Sequence, residues 1–150
     1  MDHLDKALLE LAQADFPLEP RPFALLGEKL GLSESQALER VARLKQIGVI
    51  RRLGASFDPR ALGYVSTLVA CVVPQRQVED FARVVNAYPE VTHHYQRDHH
   101  YNLWFTLIAP SRADLARILS EIQARTGVGE LRSLEAERLF KIDVRFDLSP

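Results

Sequence analysis

The sequence predicts an α+β chain: an N-terminal winged helix-turn-helix over residues 1–57, then a ferredoxin-like βαββαβ domain over residues 58–150. Three observations carry this. Helical periodicity with start and stop signals recurs three times before residue 49, and the last two helices are joined by a tight turn containing Gly31. Beyond Asp58-Pro59-Arg60 the order becomes strand, helix, strand, strand, helix, strand. A 47% hydrophobic share of 150 residues is ample for a folded core, as one ordinary domain or two small ones.

The first helix places Leu4, Leu8 and Leu11 on one stripe, with Asp2 as its cap. Three prolines in Phe16-Pro17-Leu18-Glu19-Pro20-Arg21-Pro22-Phe23 remove donors and fix the backbone, so that stretch is a rigid connector. A second helix opens with Pro22 in its tolerated first turn and runs to Leu30. Ser33-Glu34-Ser35-Gln36 is a capping box for a third helix, whose buried stripe is Ala37, Val41, Leu44 and Ile47 before Gly48 stops it. Val49 to Ala55 reads as the wing strand. In the second domain Tyr64 to Val73 reads as a buried strand, and Val78, Phe81, Ala82 and Val85 recur at helical spacing. Ser111 caps a helix carrying Leu115, Ile118, Leu119 and Ile122, closed by Gly127 and Gly129. Phe140, Ile142, Val144 and Phe146 alternate with charged residues, which predicts the last strand.

Composition narrows the function classes. Net charge is −1, from 19 basic and 20 acidic residues, so no global field draws the chain to nucleic acid or an anionic membrane. The recognition-helix stretch Ser33–Gln46 sums to only +1, and residues 1–60 hold nine basic and nine acidic side chains. DNA affinity leans on phosphate neutralisation, so this reading head predicts weak DNA binding. No run approaches the roughly 18 apolar residues a bilayer span needs, and Met-Asp-His-Leu-Asp-Lys has neither a basic start nor an apolar signal segment. A single cysteine, Cys71, excludes an internal disulfide and fits a reducing compartment, so a cytoplasmic location is expected.

One stretch is not explained by a generic fold. Four of the five histidines fall between positions 93 and 100, interleaved with Tyr95, Arg97 and Tyr101, with the only tryptophan, Trp104, just beyond. Strand period puts Val91, His93, Tyr95 and Arg97 on one face and Thr92, His94 and Gln96 on the other; Asp98-His99 offers a turn, and Tyr101 to Ala109 a second strand. Such a hairpin carries imidazole, phenol and guanidinium on one surface. Same-face neighbours sit roughly 6–7 Å apart, close enough to share one large planar ligand and too far for a tight dyad within one strand. A zinc site from His-His-x4-His-His lacks a nearby cysteine and a defined tetrahedron. His94 and His100 fit surface or turn roles, Trp104 fits a ligand face or ordinary core, and Cys71 fits inert packing.

The whole chain resembles the Lrp/AsnC regulators in arrangement, through the helix-turn-helix followed by Phe57-Asp58-Pro59-Arg60-Ala61-Leu62-Gly63-Tyr64. The hairpin, with Phe16-Pro17-Leu18 and Arg21-Pro22-Phe23, resembles more specifically the siroheme decarboxylase family. That Lrp-like group includes the Ahb proteins of alternative heme synthesis and the Nir D, L, G and H proteins of heme d1 synthesis. Its pattern is matched at His93, Tyr95, Arg97, His99, Tyr101, Asn102, Leu103, Trp104, Phe105 and Thr106, whereas His94 stands where the family often has Asn. The resemblance implies loss of CO2 from the C12 and C18 acetates of siroheme, giving 12,18-didecarboxysiroheme. Siroheme is the substrate, and no further cofactor and no metal of the protein's own is required. His93, His99 and Arg97 are the expected catalytic residues, with either histidine a possible axial ligand to the siroheme iron. Tyr95, Tyr101, Asn102 and Trp104 are expected to bind substrate, joined by Arg51 and Arg52 of the wing if the domains face each other; those two arginines fit phosphate contact or solvation equally. The resemblance also implies sheet-to-sheet pairing into at least a dimer, with a paralogous or an identical subunit. The alternative is an Lrp/AsnC-type DNA-binding regulator, with or without heme sensing.

Overall fold

The computed structural model describes residues 1–148, which divide into two units: Met1–Ala55 together with the chain from Lys141 onward, and Ser56–Phe140. The first unit holds α1 (His3–Ala14), α2 (Pro22–Lys29) and α3 (Glu34–Gln46). Both expected caps form. Asp2 accepts from the Asp5 N–H at 2.8 Å while Asp5 accepts from the Asp2 N–H, and Ser33 and Gln36 exchange the same pair of bonds. Leu8, Leu26, Ala37 and Leu44 form this unit's buried centre. Gly27 is required there by space, because a Cβ at that position would meet the Leu32 carbonyl oxygen at 2.7 Å.

A buried ion cluster ties α1 to α3. Asp5 is fully buried and accepts from Arg40 at 2.7 Å and from Arg43; Arg40 also reaches Asp2 at 2.9 Å. Burial pushes the Asp5 carboxyl up, but the bonds from Arg43, the Asp2 N–H and Arg40 outweigh it and hold the group well below the usual carboxylate range.

The second unit holds β1 (Val65–Val72), a 3-10 turn at Gln75–Gln77, α4 (Val78–Asn86), β2 (Val91–Gln96), β3 (Leu103–Ala109), α5 (Arg112–Thr126) and β4 (Glu130–Glu135). The sheet is antiparallel throughout, in the order β2-β3-β1-β4. One face packs on α4 and α5: Val69, Cys71, Phe105 and Leu107 meet Phe81, Val85, Ile118 and Ile122 in one core. Ser111 caps α5 by accepting from the Asp114 N–H at 3.1 Å, and Gly127 ends it at φ 66°, the left-handed conformation glycine adopts freely. No helix among the described residues is long and apolar enough to cross a membrane.

The structure corrects three sequence expectations. The fourth strand is Glu130–Glu135, not Phe140–Phe146. From Lys141 on, the latter segment lies with the helical unit, where the Gln13 side chain accepts from the Phe146 N–H at 3.0 Å and donates to its carbonyl. Phe140, Ile142, Val144 and Phe146 are 67–83% exposed. Alternation reports that a segment has two faces, not which neighbour it pairs with. The wing strand expected at Val49–Ala55 does not form; no strand is assigned there. The third correction is a β-bulge at Thr92: Val91 pairs with Leu107 and His93 with Thr106. The extra residue moves Val91 to the core side, apart from His93 and Tyr95.

Candidate functional site

Directly opposite residues in a ladder share a face, so the register defines the sheet's outer surface. Tyr95, Trp104, Ala70 and Arg132 form one row across the strands in the order β2, β3, β1, β4, and His93, Thr106, Leu68 and Leu134 form the next. The inner face is mostly apolar, with Thr67 and His94 among its polar members, and packs on the helices; the outer face carries Tyr95, Trp104 and Arg132.

The hairpin end concentrates them. The Arg97 N–H donates to the Asn102 carbonyl at 2.8 Å and closes the turn, and the Trp104 indole N–H donates to the Tyr101 carbonyl at 2.7 Å. The Arg97 guanidinium lies 5.3 Å from the centre of the half-buried Trp104 ring. Tyr101 meets Trp104 edge to face at 6.4 Å, and Arg132 lies 5.3 Å over Tyr101. The Tyr101 hydroxyl donates to Glu130 Oε1 at 2.5 Å. That bond raises the phenol above its ordinary range and lowers the carboxyl below its own.

The two histidines expected to be catalytic are exposed and lie apart. His93 stacks on Tyr95 at 6.1 Å with Nδ1 3.0 Å from the Thr92 hydroxyl. His99 sits in the turn, stacked on Tyr101 at 6.1 Å, and its Nδ1 accepts from the Tyr101 N–H at 3.1 Å. A backbone N–H can only donate, so the neutral ring carries its proton on Nε2. The turn therefore folds His99 onto Tyr101, and no His93–His99 dyad forms within this chain. His93 is three residues from the strand end at Gln96, roughly 10 Å of strand.

The other expected residues divide. Tyr95 is exposed on the outer face. Asn102 is committed to the fold: its Oδ1 accepts from the Val73 N–H at 2.9 Å and its Nδ2 donates to the Val73 carbonyl at 2.7 Å. Arg51 and Arg52 belong to the helical unit, where Arg52 donates to the Ala55 carbonyl at 3.0 Å. His94 lies on the core side between Phe81 and Phe105, its Nδ1 2.9 Å from Asn86 Oδ1; burial lowers its pKa. His100 stands edge-on to Tyr101 with Nε2 3.7 Å from Glu130. Sequence reasoning missed Glu130 and Arg132, because their strand was assigned to Phe140–Phe146. Their signal was the weak alternation of Glu130-Leu131-Arg132-Ser133-Leu134.

An open cavity of about 530 Å³ adjoins the turn, lined by Gln75, Gln96, Arg97, Asp98, His99 and Asn102. Among the described residues no three His, Cys, Asp or Glu side chains cluster to hold a metal ion. The outer face instead offers flat aromatic surface, edge cations and imidazoles, which suits a large planar anion.

Comparison with known proteins bears on the same regions. Residues 5–51 match the family described as siroheme decarboxylase NirDL-like HTH domain, and residues 61–141 the AsnC-like ligand binding domain. The siroheme decarboxylase alpha subunit of Desulfovibrio desulfuricans is 53% identical over 97% of this chain and 84% of its own length. The crystal structure of siroheme decarboxylase NirDL in complex with an iron-uroporphyrin III analogue superposes with a TM-score of 0.67 at 35% identity, over 89% of this chain and 44% of that one. Escherichia coli AsnC shares the fold, with a TM-score of 0.80 at 22% identity over 97% of each chain.

Proposed function

Because this chain belongs to the siroheme decarboxylase family, a group with the Lrp/AsnC fold, we propose that it is a siroheme decarboxylase subunit whose substrate rests on the hairpin end of the sheet's outer face. The observation that carries the reading is the stacking of Arg97 on Trp104 and of Arg132 on Tyr101, two rings that meet edge to face. Siroheme is a flat iron macrocycle edged with eight carboxylates. Tyr95, Tyr101 and Trp104 meet its face, and Arg97 clamps a rim carboxylate through its planar fork.

The reaction is a non-oxidative carboxy-lyase step. The bond between the acetate methylene and its carboxylate breaks, CO2 leaves, and the electron pair passes into the protonated macrocycle. A proton then arrives at the methylene carbon, making a methyl group. No oxidant is consumed, so no redox cofactor is required. His93 and His99 are the proton-handling groups or iron ligands. His99, exposed in the turn, keeps Nε2–H as a donor in its neutral form. A partner subunit can bring further imidazoles to the same macrocycle. Related chains are named as subunits, which supports a paralogous partner. The apolar half of the outer face, around Leu68 and Leu134, suits that partner's sheet.

The DNA-binding alternative is not favoured. Arg40 and Arg43, two of the three cations on α3, are spent on Asp5. The helix-turn-helix is a structural part here. Anaerobic incubation with siroheme, followed by absorption spectrum and product mass, tests the reading. Loss of one or two CO2 units is expected, and His93→Ala and His99→Ala should each lower CO2 release by 100-fold or more, on the order of a lost general acid. Full activity in both variants would remove the histidines from the mechanism, and no spectral change with wild type would overturn the reading itself.

A further inference from the structure

We propose that Arg132 and Glu130 extend the substrate site onto β4, Arg132 reading a second rim carboxylate and Glu130 acting as the positioning residue that holds it. This rests on the siroheme reading above. Arg132 stands in the same row as Trp104, with only Ala70 between them. The two backbones are two strand spacings apart, roughly 10 Å, which suits two carboxylates on one macrocycle rather than two oxygens of one carboxylate. The Arg132 and Arg97 arrangements repeat each other: each guanidinium lies 5.3 Å over an aromatic ring, and those rings touch at 6.4 Å. A stacked guanidinium is held in orientation while its edge N–H groups stay free for an oxyanion.

The hydrogen bonds show which edge is free. Nε and Nη2 of Arg132 both donate to a single oxygen, Glu130 Oε1, at 3.3 and 3.2 Å. That is not a two-oxygen fork, and Nη1 makes no bond to Glu130. The Arg132 side chain is 62% exposed, so Nη1 is reachable. Glu130 Oε1 also takes the Tyr101 hydroxyl, and His100 faces Oε2 at 3.7 Å. One carboxylate thus fixes both the phenol and the guanidinium. Its charge is matched by Arg132, and an incoming carboxylate meets Nη1 on one side and Arg97 on the other.

The test is titration of the full chain with iron uroporphyrin, an octacarboxylate, following the heme absorption and the fluorescence of Trp104 at two salt concentrations. For Arg132→Gln, affinity is expected to fall about tenfold and its salt dependence to flatten, because one screened ion pair is gone. Arg132→Lys should recover only part, since an ammonium lacks the fork. Glu130→Gln should weaken binding less than Arg132→Gln, with Tyr101 keeping a partner. Unchanged affinity in Arg132→Gln, beside binding by wild type and a loss in Arg97→Gln, would overturn this inference and leave the siroheme reading standing. A loss with unaltered salt dependence would also overturn it, because Arg132 would then act by packing on Tyr101. Failure of wild type to bind would overturn both.

Discussion

Asn102 separates a fold role from a substrate role. The family resemblance makes it a substrate-binding residue, yet both polar atoms of its amide are bonded to the Val73 backbone, at 2.9 and 2.7 Å, and Val73 is 2% exposed. Asn102→Ala deletes both bonds and strands a buried N–H and a carbonyl. Each orphaned group costs about 1–3 kcal/mol when water cannot reach it. Asn102 itself is only half-buried, so water admitted at the vacated side chain offsets part of that, and a total of about 2 kcal/mol is expected. That is a factor of roughly 30 in the folding equilibrium and a urea midpoint lower by roughly 1 M. The assay is urea unfolding followed by Trp104 fluorescence, which reports the sheet unit because Trp104 is the only tryptophan. Iron uroporphyrin binding, measured well below the midpoint, should be close to wild type. An unchanged midpoint with lost binding would refute the reasoning and make the amide a ligand contact.

Two further outcomes follow from the helical unit. Asp5→Asn should destabilise it by about 2–3 kcal/mol at pH 7, reduced from the 3–5 typical of a broken buried pair because Arg40 and Arg43 reach solvent. The folded Asp5 carboxyl titrates below its unfolded value of about 3.9, so its contribution is complete above that value and fades as pH falls beneath it. The gap between wild type and variant in thermal unfolding should therefore narrow steadily on acidification below about pH 4; a gap as wide at about pH 2 as at about pH 7 would mean Asp5 acts by packing alone. Ile142→Glu with Val144→Glu should leave the isolated chain's unfolding within about 0.5 kcal/mol per site of wild type, since both side chains are over three-quarters exposed. A larger loss would show that this segment is buried in solution.

What the sequence by itself determined is what short-range chemistry encodes. The Asp2 cap, the Ser33 box, the Ser111 cap and the Gly127 stop each involve residues within about four positions, so their bonds are legible from spacing alone, whereas Ile47, read into the buried stripe of α3, is 56% exposed. The strand-helix order and the concentration of His93, Tyr95, Arg97, His99, Tyr101 and Trp104 in one hairpin were legible for the same reason.

Only the tertiary structure decided which segments pair and which groups meet. Phe140–Phe146 has the stronger alternation, yet Glu130–Glu135 is the strand, because β1 offers its free edge to the chain leaving α5. The bulge at Thr92 moved Val91 to the core side, a one-residue change that period-2 reasoning cannot register. Asn102 bonds Val73 across 29 positions, and Arg132 stacks on a tyrosine 31 positions away. Contacts of that separation depend on register and strand order, quantities a local pattern does not contain. The histidines were therefore found in the sequence, whereas their separation, and the β4 pair Glu130–Arg132 beside Tyr101, emerged only once the sheet was assembled.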